Sequence, residues 1–150
     1  MKIITSNKKA YFNYTIQDTI EAGIVLTGDE VKSIRANNMA LGDAFATVHD
    51  GEIQLLNCYI GPYSHAYSKA DLSRRTRTLL LKRKEINRLI GDLSRKGLTL
   101  VPLKAYFNAR GYIKLELGLA KHKKAVDKKQ TLKERDIKRE TERDSKIRFK

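Results

Sequence analysis

Residues Leu98–Lys121 read LTLVPLKAYFNARGYIKLELGLAK, and the fold turns on how this stretch is read. In its second half Ile113, Leu115, Leu117 and Leu119 recur at alternate positions. That places them on one face of a strand and leaves Lys114 and Glu116 on the other. Val101, Leu103, Ala105 and Phe107 form the inward set of the first half. The two sets share a side only if Phe107 pairs with Ile113, a register that suits a three-residue loop with Gly111 in a left-handed bulge.

Outward from this hairpin the strand signals continue. Asp50-Gly51, between Ala44–His49 and Glu52–Ile60, is a two-residue hairpin turn that sets Val48 against Ile53 and Ala46 against Leu55. Further from the turn the apolar residues change face, at Phe45, Leu56, Cys58 and Ile60, as a strongly coiled small barrel allows. Two more strands are expected at Ala10–Ile20 and Glu21–Thr27, six in all. Thr27-Gly28-Asp29-Glu30 has capping-box spacing and opens a helix through about Asn37. Lys82–Lys96 puts Ile86, Leu89, Ile90 and Leu93 on one helical face and stops at Gly97. Gly61–Thr78, with Arg74, Arg75 and Arg77, reads as a mobile basic loop. The expected architecture is mainly β: a small closed six-stranded antiparallel barrel, oligonucleotide-binding-like, with two or three short helices.

Charge gives that barrel a partner class. The 150 residues hold 31 Lys and Arg against 17 Asp and Glu, a formal excess of +14. Half of the excess lies in residues 121–150, which contain no Gly or Pro. This divides the chain into an RNA-binding body, 1–121, and a basic tail, 122–150, expected to be disordered when free. The balance points to RNA, DNA or an anionic surface as partner. No run approaches the roughly 20 apolar residues of a membrane helix. The opening residues are too weakly apolar for a secretory signal, and the single Cys58 leaves no disulfide framework. A soluble, cytoplasmic monomer is the expectation.

Catalytic signatures are scarce. There is no Walker loop, no G-x-G-x-x-G and no H-E-x-x-H, and His49, His65 and His122 lack metal-ligand spacing. Asp18, Glu21, Asp29 and Glu30 offer the carboxylates of a metal-dependent nuclease, but surface strand charges and a helix cap account for them better. Cys58 alternates with Leu56 and Ile60 as a small core residue. No metal, no cofactor and no enzymatic activity are expected. Binding chemistry is better represented. Asn7-Lys8-Lys9 precedes Tyr11, Phe12 and Tyr14, and Lys104-Ala105-Tyr106-Phe107 repeats the mixture. Cations meet phosphates and aromatic faces meet unstacked bases. Alternation frees Tyr11 or Phe12, not both.

These segments carry a family resemblance. Asn7-Lys8-Lys9-Ala10, EAGIVL at Glu21–Leu26, GDEVKSIR at Gly28–Arg35 and YIGPY at Tyr59–Tyr63 match, in order, the SsrA-binding protein (small protein B) family. So do RTLLL at Arg77–Leu81, GLTLVPLKAY at Gly97–Tyr106, and Leu119-Ala120-Lys121 with the lysines that follow. The resemblance implies a barrel that braces the tRNA-like domain of transfer-messenger RNA and accompanies it to stalled ribosomes. It implies contacts at Asn7, Glu30, Leu80 and Lys114, with Lys8, Lys9, Lys32 and Arg35 on the same segments. For Glu30 a capping role competes. Leu80 at its spacing is more often core than ligand, and Lys114 points outward by alternation. The resemblance further implies a tail that becomes helical in the messenger channel and reaches the decoding centre and ribosomal RNA. Its residues would be Lys121, Lys123, Lys124, Asp127, Lys128, Lys129, Arg135, Arg139 and Arg143. His122 stands where the family usually has Gly, Val126 where His or Tyr is common, and Lys129 replaces an Arg. Two other readings are a general ribosome-associated or tRNA-binding barrel and a metal-dependent ribonuclease; fold alone does not choose among them.

Overall fold

The computed structural model describes residues 2–63 and 71–123. Along them run β1 (Lys2–Ser6), α1 (Lys8–Asn13), β2 (Tyr14–Ile24), α2 (Gly28–Arg35), β3 (Met39–Ala40) and β4 (Phe45–His49). Then come β5 (Glu52–Leu56), β6 (Tyr59–Ile60), β7 (Arg77–Leu80), α3 (Arg83–Lys96), β8 (Thr99–Phe107) and β9 (Ile113–His122). Six strands close a ring in the order β8-β4-β5-β7-β2-β9, with β9 pairing back onto β8. Every pair is antiparallel. β1 lies outside the ring, against the second half of β8. The mainly β, six-stranded barrel expected from the sequence is therefore present, with three helices among the described residues.

Both hairpin registers hold. Phe107 faces Ile113, while Val48 faces Ile53 and Ala46 faces Leu55. Gly111 takes φ +81°, the left-handed conformation its bulge requires. Thr27 caps α2 and the Glu30 side chain accepts from the Thr27 N–H, completing the capping box. α3 stops where Gly97 turns left-handed. Inside the ring Ile53, Leu55, Leu115 and Leu117 are fully buried; each contributes about 1.5–3 kcal/mol of transfer free energy.

Four details differ from the sequence reading. The first is at Leu103, an extra residue between the pairs Pro102–Leu117 and Lys104–Glu116. Such a bulge shifts the alternation. Leu100 and Ala105 face the barrel interior, whereas Val101 and Leu103 turn outward and pack with Ala10 and Ala120 in a second, smaller core. They do not share a face with Ala105 and Phe107. Secondly, Ala10–Ile20 is not one strand. Residues 8–13 form α1, and a single strand then runs from Tyr14 to Ile24. The Asn7 side chain accepts from the Ala10 N–H and so begins the helix; at six residues it is too short for periodicity to reveal. Thirdly, the change of face after Leu56 is not barrel coiling. Asn57 takes φ +58°, β5 ends, and Cys58 and Ile60 reach the core as the chain leaves the sheet to pair β6 with β3. Phe45 stays exposed. Finally, β9 continues through His122, past the expected boundary at Lys121, because Tyr14 pairs with His122 and their rings meet at 4.3 Å.

Candidate nucleic-acid interface

The outward face of the β2–β7–β9 junction holds a groove of about 520 Å³. Its floor is Gly23, which pairs with Leu80 on one side and Lys114 on the other. A methyl group on Gly23 would stand 3.2 Å from Leu80 Cβ and 3.6 Å from Lys114 Nζ. The absent side chain thus lets the ammonium lie beside the leucine. Arg35, at the end of α2, and Arg110 and Tyr112, at the tip of the β8–β9 hairpin, complete the walls with Ile24, Leu26, Val31 and Ile113. Among the described residues no Asp or Glu lines it.

Several cations elsewhere on the body are neutralised by carboxylates. Lys9 pairs with Asp43, Arg88 with Asp18 and Asp92, Arg95 with Asp92, and Lys104 with Glu116. Arg75 and Arg77 pair with Glu30. Among the described residues Arg35, Arg110 and Lys114 have no acidic partner. Three uncompensated cations surround an apolar floor on which Leu80 is 57% exposed. An exposed leucine ringed by free cations favours an anionic ligand with a flat apolar part, which describes a nucleotide.

The expected contact residues divide between surface and interior. Leu80, Lys114 and Arg35 meet in the groove, and Leu80 is surface rather than core. Lys32 is exposed and lies 5.0 Å from the centre of the Tyr63 ring. Lys8 and Lys9 are exposed on α1, at the end of the barrel where β9 finishes just past Lys121. Seven residue steps along β9 separate Lys114 from Lys121, about 23 Å at strand rise. Lys123 lies at the α1 end too, with Nζ donating to the Tyr11 carbonyl. Lys124, Asp127, Lys128, Lys129, Arg135, Arg139 and Arg143 lie outside the described residues.

Asn7 and Glu30 are turned inward instead. Asn7 is buried; its amide donates to the Leu41 and Pro102 carbonyls at 3.1 and 2.8 Å, and its oxygen holds the Ala10 N–H. The side chain ties α1, the Leu41 loop and β8 together, and it has no donor left for RNA. Asn7→Ala is expected to lower the unfolding free energy by about 2 kcal/mol in urea titration, since a cap and two buried bonds go. The salt dependence of RNA binding should not change.

Glu30 is buried between two arginines. Arg77 donates from Nε to Oε2 at 2.5 Å, and Arg75 donates to Oε1. Burial alone would raise the Glu30 carboxyl, but bonds from Arg75, the Thr27 backbone and Arg77 hold it below the usual range. Arg77 is fully buried at the start of β7, and Arg75 is half-buried. The two arginines therefore do not belong to a mobile basic loop; they clasp α2 to the strand that carries Leu80. Residues 64–70 of that expected loop lie outside the described residues.

The remaining candidates occupy structural positions. Tyr106 is buried and donates to Glu21, so the aromatic expected to interleave with Lys104 is turned away from a ligand. Burial and that bond push its phenol up. Burial likewise pushes the Cys58 thiol up to about 11, which makes it a poor nucleophile. Among the described residues no group of three or more His, Cys, Asp or Glu gathers as a metal site. None of their helices is long and apolar enough to cross a membrane. Sequence reading missed Arg110 and Tyr112. The available signal was that the turn around Gly111 requires neither an arginine nor a tyrosine.

Residues 4–147 match the family model described as SmpB protein. The chain is 51% identical to the SsrA-binding protein of Coprothermobacter proteolyticus over 99% of its own length and 100% of the relative's. It is 53% identical to that of Chlorobaculum tepidum, over 90% and 86%. Among solved structures it is similar to a chain described as "tmRNA-SmpB: a journey to the center of the bacterial ribosome". That chain has a TM-score of 0.65 and 52% identity, covering 81% of this chain and 85% of the other.

Proposed function

The chain belongs to the SmpB family, and from that premise we propose that it is a non-enzymatic, cytoplasmic RNA-binding adaptor of trans-translation. It binds the tRNA-like domain of transfer-messenger RNA (SsrA) and delivers that RNA to stalled ribosomes, where the nascent peptide is tagged and the ribosome released. The observation that carries the reading is the groove at Leu80 and Lys114, with its three unpaired cations and no acid. Lys114 and Arg35 neutralise phosphates, and Leu80 packs on the sugar–base surface between them. The lysines at the α1 end and the tail beyond Lys123 remain for the ribosome. One barrel thus engages two RNAs at ends about 23 Å apart along β9.

Helix α2 contributes Arg35 to this site, and Glu30 acts through it. Anchored by Arg75 and Arg77, the carboxylate fixes the helix against β7, so that Arg35 and Leu80 face one another across the groove. Glu30 is a positioning residue in this reading.

Lys114→Ala tests the proposal. Binding to the isolated tRNA-like domain should weaken, and the slope of log K against log salt should fall by about one counterion, with melting unchanged. Equal affinity and slope in the variant would exclude the groove as the RNA site. Sequencing the RNA that co-purifies with the full chain checks the partner. One dominant stable RNA is expected; a mixed tRNA population would favour a general tRNA-binding barrel.

A further inference from the structure

We infer that the tip of the β8–β9 hairpin reads a nucleobase: Tyr112 stacks on an exposed base face of the bound RNA, and Arg110 holds a neighbouring phosphate. This rests on the RNA-binding reading above and adds two contact residues to it. The tip is built to be rigid. Asn108 N donates to the Tyr112 carbonyl and Gly111 N to the Asn108 carbonyl, both at 2.9 Å. The Asn108 side-chain oxygen accepts from the backbone of Arg110 at 3.0 Å and of Tyr112 at 2.9 Å. Left-handed Gly111 closes the turn. A single asparagine thus satisfies the loop internally, while the side chains of Arg110 and Tyr112 both stand exposed over the groove.

Tyr112 is 63% exposed, and most of the other tyrosines described have structural company. Tyr106 is bonded to Glu21, Tyr14 lies against His122, and Tyr59 and Tyr63 are faced by Arg74 and Lys32. Tyr11 belongs to α1, at the far end of the barrel. Among the described residues Tyr112 is the one aromatic ring that lines the groove. A large ring held in water on a rigid loop loses little freedom when it stacks, and an adjacent unpaired guanidinium supplies the phosphate contact.

The test uses the full chain and the isolated tRNA-like domain of transfer-messenger RNA, over a salt series. Tyr112→Ala should bind about tenfold more weakly at an unchanged salt slope, because stacking releases no counterion. Tyr112→Phe should bind within about twofold of the parent, and Tyr112→Leu should resemble the alanine variant. Arg110→Gln should lower the slope by about one. Lys114→Ala is measured beside them. If Lys114→Ala weakens binding while Tyr112→Ala does not, the stacking role is overturned and the groove stands. If neither weakens it, the groove reading itself fails. Loss in Tyr112→Phe equal to that in Tyr112→Ala would mean a hydroxyl contact and overturn stacking, as would full affinity in Tyr112→Leu.

Discussion

Arg77→Met is expected to lower the unfolding free energy by about 3 kcal/mol, the largest stability loss of any substitution considered, and to reduce RNA affinity as a consequence. All five guanidinium N–H groups of Arg77 have partners. Nε binds Glu30, Nη1 binds the carbonyls of Cys58 and Arg75, and Nη2 binds those of Leu72 and Ser73. Methionine fills similar space but leaves the Cys58 and Arg75 carbonyls without this donor, while those of Leu72 and Ser73 keep backbone N–H partners, and it leaves a buried carboxylate with one arginine; breaking one side of such a pair typically costs 3–5 kcal/mol. Arg75 retains part of the charge balance, so the lower end applies. Arg75→Met, at a half-buried and partly screened site, should cost less. Thermal and urea melts of both variants check the order; equal losses would mean that burial of Arg77 is not what matters.

The same clasp gives a signed pH dependence. The folded-state pKa of Glu30 is depressed from its ordinary 4.5. Its contribution is therefore complete above about pH 4.5 and is lost as pH falls through the lower folded value. Glu30→Gln should reduce stability at neutral pH and show a shallower acid-side decline than the parent. A parallel decline would assign the acid sensitivity to other carboxylates.

Truncation after Lys123 is expected to abolish peptide tagging on stalled ribosomes while leaving the melting temperature and the affinity for the tRNA-like domain nearly unchanged. The described lining of the groove lies between Gly23 and Lys114. The body's last strand is complete at that cut: His122 pairs with Tyr14, and Lys123 N donates to the Asn13 carbonyl. The removed segment carries Lys124, Lys128, Lys129, Arg135, Arg139 and Arg143 among few apolar residues, a composition suited to ribosomal RNA rather than to a protein core. Cutting after Lys121 instead removes the Tyr14–His122 pairing and should lower the melting temperature. Normal tagging by the 1–123 protein would reduce the tail to a solubility device, and a large fall in its melting temperature would place the tail on the body.

Where local chemistry decides, the sequence alone was sufficient. Alternation in Ile113–Leu119, the Asp50-Gly51 turn, the Thr27–Glu30 capping box and Gly97 each depend on residues within a few positions of one another, and each element formed in its expected register. From these the mainly β barrel followed, and so did the outward direction of Lys114 at the groove; the count of six holds because two expected strands merge in β2 while β7, absent from the sequence reading, takes the vacant place. What only the tertiary structure decided depends on distant partners. The bulge at Leu103 exists because α1 offers a second core around Ala10. Asn7 and Glu30 look like surface ligands in a string of letters and become interior anchors once Pro102, Arg75 and Arg77 arrive beside them. Leu80 reads as a candidate for burial, yet three strands and a hairpin tip leave it in water around Gly23, with the unforeseen Tyr112 beside it. A side chain's periodicity fixes which face it takes; whether that face meets core, ion or solvent is set by segments that the chain brings from tens of residues away.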